Sequence, residues 1–484
     1  MLDKSSIKVV SVKTYKHHYS ITYSIDDEFE HVTTVLYDAD VNLLTVPCEC
    51  SKFVALFESL KFMILLPRSL DVREIGPITP EMARQFQEMI PKLWNQHMYE
   101  NGLAKWKGPE LVYEPLTAHL NSTVPSVTRP ESILVFNGGG KDSLLVSEII
   151  ERLGATYGVL GHSRSEYGRH SEQHFHQERL ALDGMRGATG RYRVKVYDTL
   201  TDGEFVKVYY PHLKGECTEG RPCQVGTPEM LFYALPYAYL YGYTHFALGW
   251  ERSSSSNQLT AGETGEYMNH QWLKSLEAEQ AYGRLLALAT QGAVQVFSPL
   301  RGIGDRALFR MLHPLESRIH LCHSCNVSKP WCFRCPKCMY VWLHYLSVFS
   351  CSTVAQVFGD YYSCNEAASV AADREQTPEE TVINAHAPLF RQLLGMETTN
   401  ALECVGDTRP SCYAFMDCIS ACKLRSSELP PDIVNHVRSC TAEIEPTQSF
   451  DSLVEDVHQD FKARLHKAFV KWHALPAGPN TQSQ

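Results

Sequence analysis

Residues 131–154 read ESILVFNGGGKDSLLVSEIIERLG. Four apolar residues, Ile133 to Phe136, lead into Asn137 and three glycines, after which Leu145, Ile149 and Leu153 recur at i, i+4 and i+8. The first run predicts a short buried strand and the second one face of a helix. The glycines therefore stand where a strand turns into a helix. There the first helical N–H groups lack intrahelical partners and the helix dipole favours an anion. Gly138, Gly139 and Gly140 would let a phosphate approach the backbone, and Lys141 adds a cation. Ser143 offers a hydroxyl, while Asp142 either caps the helix or helps to hold Mg²⁺. The alternative is a tight turn without a ligand. Two common phosphate patterns do not fit. Lys141 is followed by Asp where the ATPase loop needs Ser or Thr, and Ser143 stands where the dinucleotide pattern needs its third glycine.

Around this loop, short apolar runs recur among helical patterns: TYGVLGH (156–162), YRVKVYD (192–198), THFALGW (244–250) and VQVFSP (294–299). Strands alternating with helices predict an α/β domain with a parallel sheet over residues 130–320. Residues 7–46 instead alternate apolar and polar side chains in KVVSVKTY, YSITYSI and HVTTVLY, with IDDEF as a turn, which predicts an antiparallel β unit. Helical segments follow, one of them opened by Thr79 as N-cap and Pro80 at the first helical position. An N-terminal α+β domain is thus expected over 1–125, bounded by the polar NSTVPSVTRPES (121–132). Residues 346–475 read as helices with loops, and 476–484 as a disordered tail.

The chain has 484 residues, enough for two or three domains and at least one large core. A net charge of −10 argues against a general affinity for nucleic acid, whose phosphates select basic surfaces. The opening MLDKSSIKVVSVKTYKHH lacks an apolar core followed by a cleavage site, so no secretory signal is expected. Residues 338–359 carry no Lys, Arg, Asp or Glu, but His344, Gln356 and several Ser and Thr interrupt the run. They read as two buried helices, the second capped near Ser352 or Thr353, rather than a membrane span. A soluble, cytoplasmic chain is expected.

Five of the sixteen cysteines fall within CHSCNVSKPWCFRCPKC, residues 322–338. Clustering in a chain without a signal favours a metal over disulfides. Cys325, Cys332, Cys335 and Cys338 are the chosen ligands of a four-thiolate Zn²⁺ knuckle over 321–345, with Cys322 or His323 as substitutes. Four protein ligands leave no open position, so the metal would be structural. Cys412, Cys418, Cys422 and Cys440 form a looser pattern, either a second metal site or scattered core thiols.

Ligands in open α/β sheets bind beyond the carboxyl ends of strands. Glu251, Arg252, Ser253 and Asn257 follow THFALGW directly and are placed to meet a substrate. Asn269, His270, Gln271 and Lys274 follow shortly, with His270 and Lys274 four apart on one expected helical face. A solvated helix face is the plainer reading of that segment. Arg301, just after the last strand, either binds a phosphate or carboxylate or pairs with an acid.

The loop from Gly138 to Ser143 resembles the S-G-G-x-D-S signature of the PP-loop ATP pyrophosphatases, with Gly138 for the first Ser. Together with GWERSSSSNQL, NHQWLKSLEAEQ, FSPLR, WCFRCPKCMYVWL and LLGMETTNALECVG, taken in this order, the chain resembles the UDP-N-acetyl-α-D-muramoyl-L-alanyl-L-glutamate epimerase family over roughly residues 130–410. The resemblance implies a PP-loop (adenine nucleotide α-hydrolase-like) parallel-sheet core with the zinc-binding insert and a helical C-terminal region. It implies an ATP- and Mg²⁺-dependent isomerase that adenylates the terminal glutamate of a UDP-muramoyl dipeptide, inverts its α-carbon and releases AMP and pyrophosphate. In that scheme Gly138, Gly139, Gly140, Lys141, Asp142 and Ser143 hold the phosphates, and Arg252 and Arg301 hold substrate anions or pyrophosphate. His270 and Lys274 are the choice for proton transfer, beside Asp142 and Arg252, while Glu251, Ser253, Asn257, Asn269 and Gln271 meet the substrate. Two other outcomes stay open: capture of an adenylate by a nitrogen or sulfur nucleophile, and a nucleotide-binding protein without catalysis.

Overall fold

The computed structural model describes residues 5–102, 106–116, 132–164, 172–200, 204–213, 227–255, 259–260, 267–269, 271–325, 330–332, 335–359, 383, 387, 390–391, 418 and 429–440. The N-terminal alternation folds as expected into an antiparallel meander of β1 (Ser6–Thr14), β2 (His18–Ile25) and β3 (Phe29–Tyr37). Ile7, Val9, Tyr19, Ile21, Tyr23, Ile25, Val35 and Tyr37 are its buried apolar positions. Then come α1 (Cys48–Glu58), β4 (Ser69–Asp71), α2 (Pro80–Leu93), α3 (Asn95–Glu100) and β5 (Glu110–Val112). Thr79 caps α2 by accepting the Met82 N–H at 3.2 Å, with Pro80 in the first turn.

The second part alternates strand and helix: β6 (Ile133–Phe136), α4 (Lys141–Arg152), β7 (Tyr157–Arg164), α5 (Glu172–Asp183) and β8 (Gly190–Asp198). It continues through α6 (Glu204–Tyr209), α7 (Thr227–Tyr233), α8 (Leu235–Tyr241) and β9 (His245–Ala247). A small ribbon of β10 (Leu259–Thr260) and β11 (Tyr267–Met268) precedes α9 (Leu276–Thr290) and β12 (Gln295–Phe297). After it come α10 (Asp305–Met311), α11 (Pro336–Val348), α12 (Cys351–Phe358) and α13 (Pro431–Cys440). The uncharged run of residues 338–359 is therefore two helices. Its second is capped by Ser350, which accepts the Thr353 N–H at 3.2 Å, rather than by Ser352 or Thr353. Among the described residues no helix is long and apolar enough to cross a membrane.

One ten-stranded sheet runs through both parts in the order β12-β9-β6-β7-β8-β3-β2-β1-β4-β5. β12, β9, β6, β7 and β8 are mutually parallel, and β8 pairs antiparallel with β3, Val196 opposite Val35. The sheet is therefore continuous from the N-terminal meander into the parallel strands. Two cores lie on its faces. Leu134, Phe136 and Phe246 join the N-terminal helices and α7 to α9 on one side, while Ile133, Val135 and Ala247 join α4, α10 and α11 on the other. β6 is buried on both faces, as a central parallel strand must be.

The seam where the meander meets the parallel strands is sealed by buried charge. Arg164, last in β7, donates to Glu58 at 2.9 Å and to Asp198, last in β8, at 2.8 Å. Lys61 pairs with the same two carboxylates at 3.0 and 2.9 Å. Tyr233 of α7 donates its hydroxyl to Glu58. Glu229, one turn earlier, is fully enclosed, and burial pushes its carboxyl up to about 8 although Arg164 opposes the shift.

Candidate functional site around the glycine loop

In the parallel strands the chain moves from β6 to β7 and β8 on one side, then returns to β9 and β12 on the other. The carboxyl ends of β6 and β9 thus flank the place where strand order reverses, which is where open α/β sheets bind ligands. The glycine loop leaves β6 at this point, and Gly249 to Ser255 leave β9 beside it.

The loop is a strand-to-helix turn, as its sequence predicts. Gly139 has φ +75°, in the left-handed region that favours glycine. Asn137 Oδ1 accepts the Gly139 N–H at 2.7 Å and the Ser143 hydroxyl at 2.9 Å. Ser143 thus stabilises the loop from within, a second acceptor being the Gly140 carbonyl at 2.9 Å. Gly140 is the N-cap of α4 and supplies no capping side chain. Asp142 lies inside the first turn and pairs with Lys141 instead of capping. Gly249 makes this approach possible, because a Cβ there would stand 2.7 Å from Asp142 Cβ.

Charged groups gather beside the loop. The Lys141 ammonium is 2.7 Å from Asp142 Oδ1, 3.9 Å from Asp305 Oδ1 and 4.9 Å above the Phe309 ring. Burial alone would lower its pKa, but Asp142, Asp305 and Glu251 outweigh burial and raise it. The Glu251 carboxyl is raised by burial first and by the charges of Asp142 and Asp305, against Lys274 and Lys141. Ser253 Oγ donates to Asp305 Oδ2 at 3.0 Å. Burial, then the charge of Asp305, hold the phenol of Tyr340 in α11 well above its ordinary range. Three carboxylates and two ammonium groups therefore act on one another at the sheet edge, where they can meet a phosphate, a divalent cation or an acidic substrate.

Other sequence-predicted residues take supporting places. Arg301 is buried and bonded twice to Glu279 Oε2, at 2.7 and 3.0 Å. Its third nitrogen donates to the Lys274 carbonyl at 2.7 Å and lies 3.3 Å from Ser254 Oγ, so it ties the two site segments together. Pairing with an acid, one of the two readings of its sequence, is what the fold presents. Asn269 is buried, donating to the Ser254 carbonyl and accepting the Gln271 N–H, both at 2.9 Å. The Arg252 N–H donates to the Ile303 carbonyl at 2.9 Å, and its guanidinium rests over Gly304, 3.0 Å from a Cβ position there. Lys274 ends the 3-10 turn Trp272–Lys274, and the α-helix begins only at Leu276 with Ser275 as its cap. The expected helical face shared by His270 and Lys274 is corrected accordingly, since Ser275 stops the helix short of Lys274. His270 and Asn257 lie outside the described residues.

The four chosen cysteines converge. Every Sγ of Cys325, Cys332, Cys335 and Cys338 lies within 4.8 Å of the others. Three of the separations are 3.5, 3.9 and 3.9 Å. A tetrahedral Zn–S₄ centre with bonds of about 2.3 Å requires roughly 3.8 Å between sulfurs, so the donor set fits a zinc-type ion. Neighbouring thiols, Cys338 first, pull Cys335 below the ordinary thiol range. Cys322 stays outside the group, buried near Tyr345 with its thiol pushed up to about 12. Of the C-terminal cysteines, Cys418 is buried in the second core, while Cys412 and Cys422 lie outside the described residues.

Three residues of this neighbourhood escaped sequence reading. Asn137 could have been found, since Asn before a turn commonly bonds backbone two residues on. Asp305 and Tyr340 carried no signal, because only the fold brings α10 and α11 to the loop, and His323, read from the sequence as a substitute metal ligand, lies instead against Gly139.

Residues 231–299 match the family model described as MurL N-terminal domain. The chain is similar to the UDP-N-acetyl-alpha-D-muramoyl-L-alanyl-L-glutamate epimerase of Micromonospora sp., 29% identical over 172 residues, 34% of each chain. It is also similar to the protein of that name in Salinispora tropica, 28% identical over 172 residues, 34% of this chain and 33% of the relative. To the one in Xanthomonas oryzae pv. oryzae it is 25% identical over 343 residues, 69% of this chain and 66% of the relative. The chain thus spans about a third of the length of the first two curated relatives. No solved structure matches. By these matches the chain is similar to the UDP-N-acetyl-α-D-muramoyl-L-alanyl-L-glutamate epimerases over part of its length, with residues 231–299 matching the MurL N-terminal domain.

Proposed function

We propose that the protein is an ATP-dependent epimerase acting on the terminal glutamate of UDP-MurNAc-L-Ala-L-Glu or a closely related carboxylate. The observation that carries this reading is the glycine loop at the strand-order reversal, with Lys141, Asp142, Glu251 and Asp305 gathered at its side. The names of the relatives support the choice of substrate. A nucleotide-linked precursor also goes with a cytoplasmic enzyme.

The chemistry follows from the weak acidity of the α-proton beside a carboxylate. Attack of the carboxylate on the α-phosphorus of ATP expels pyrophosphate and leaves an acyl adenylate, whose α-proton is far more acidic. A base removes that proton, an acid returns one to the opposite face, and water releases AMP. In this scheme Gly138, Gly139 and Gly140 allow the phosphates to reach the start of α4, and Lys141 offsets their charge. Asp142, Asp305 and Glu251 supply oxygen ligands suited to Mg²⁺, which would neutralise the leaving pyrophosphate. Lys274 is the described group suited to proton transfer, and His270 remains in that role as part of the proposal. Arg252, Ser253, Asn257 and Gln271 are assigned to substrate anions and amides. Arg301 and Asn269 hold the segments that carry them.

The test supplies the full chain with ATP, Mg²⁺ and UDP-MurNAc-L-Ala-L-Glu in deuterated water. AMP, pyrophosphate and deuterium at the glutamate α-carbon are expected, with Lys274→Ala lowering exchange at least tenfold. AMP with a new amide or thio product and no α-exchange would replace the reading by adenylate capture. No AMP from folded, metal-loaded protein would leave a nucleotide-binding protein without catalysis.

A further inference from the structure

One short segment, residues 322–325, links the four-cysteine centre to the glycine loop. Cys325 belongs to the centre, and His323, two residues earlier, is buried on the loop. The His323 N–H donates to the Gly139 carbonyl at 2.7 Å. Its ring fills the space that a side chain at Gly139 would need, for a Cβ there would stand 2.0 Å from His323 Nε2. Ser324 Oγ lies 3.5 Å from the equivalent position at Gly140. On the opposite side Asn137 Oδ1 holds the Gly139 N–H at 2.7 Å. The left-handed residue of the loop is therefore gripped on one side by its own strand and on the other by the cysteine segment.

We propose that His323 is a positioning residue through which a metal ion on Cys325, Cys332, Cys335 and Cys338 sets the shape of the glycine loop and its affinity for a phosphate ligand. The proposal rests on the reading of the loop as a phosphate site. Without the metal, Cys325 loses its tie to Cys332, Cys335 and Cys338, and the freedom gained is passed two residues back to His323. With the metal, the segment has one place, and so has Gly139. Coupling of this kind is reciprocal, so a phosphate ligand on the loop must also be felt at the metal.

The full-length chain loaded with Co²⁺ makes both directions measurable, with inorganic pyrophosphate as probe. Pyrophosphate is expected to perturb the thiolate-to-cobalt absorption of the wild type. Chelation is expected to weaken pyrophosphate binding about tenfold and to speed amide hydrogen exchange over residues 138–143. His323→Ala should keep its cobalt, lose the spectral response and bind pyrophosphate as weakly as the chelated wild type, with no further loss on chelation. Should that variant not fold, His323→Ser, which likewise removes the ring from Gly139, is read the same way. Chelation acting equally on wild type and variant, or exchange at 138–143 indifferent to the metal, would overturn the proposal. If no form binds pyrophosphate or ATP, the phosphate-site reading falls, and the exchange response alone decides whether His323 couples metal to loop.

Discussion

At the scale of single residues, the fold encloses ionisable groups whose protonation it controls. Glu229 is the clearest, its carboxyl raised from 4.5 to about 8 by burial. Between those values the folded chain keeps a proton that the unfolded chain has released. Stability is therefore fully present below the unfolded value and falls as the pH rises through the window towards 8. Glu229→Gln removes the titration. Urea midpoints should fall between pH 5 and pH 8.5 for the wild type and fall less for the variant, in which Glu178, raised by burial to about 7, still titrates. An equal fall in both would assign the pH dependence elsewhere. Glu251 is raised for a related reason, but two neighbouring carboxylates share in it, so its protonation answers to whatever cation the site holds.

At the scale of elements, the segments around the site are held by one buried guanidinium. Arg301 joins α9 through Glu279, the Trp272–Lys274 turn through its last carbonyl, and the Arg252–Ser255 turn through Ser254. Arg301→Met would take from Glu279 the guanidinium bonded to it twice and release both turns, at a cost of about 3–5 kcal/mol. Adding Glu279→Leu should recover much of that stability, because the largely buried carboxylate that Arg301 no longer neutralises then disappears. Activity should not recover, since the carbonyl of Lys274 and the hydroxyl of Ser254 remain untied. Chemical denaturation and the exchange assay separate the two effects. Recovery of both stability and exchange in the double variant would mean that Arg301 does nothing beyond pairing with Glu279. The sequence placed Arg301 correctly at the end of the last strand, but its partner lies 22 residues earlier and appears only once α9 packs beside β12.

At the scale of the whole molecule, the β3–β8 pairing makes one sheet of what the sequence divides at residues 121–132. The seam carries charge as well as strand pairing: Glu58 and Lys61 come from the N-terminal part, Arg164 and Asp198 from the parallel strands. A chain beginning at residue 132 would expose β8 as an open edge and leave Arg164 without Glu58. Such a truncation should be insoluble, or should bind hydrophobic dye and unfold without a cooperative transition. A soluble truncation with one sharp unfolding transition would mean that the parallel strands form an independent unit. The apolar alternation of the meander was legible because a half-buried strand repeats every two residues. Its attachment to β8 was not, because pairing partners across more than 150 residues leave no local pattern.

The amino-acid sequence alone determined the strand–glycine–helix turn, the parallel α/β alternation, the antiparallel meander and the four converging cysteines. Each of these follows from local periodicity or from spacing within a single turn. Tertiary structure alone decided that His323 lies on Gly139, that Asp305 and Tyr340 join Asp142 and Glu251, and that Arg301 pairs with Glu279. These contacts join residues far apart in the chain, and burial sets their strength by removing water from around the charges.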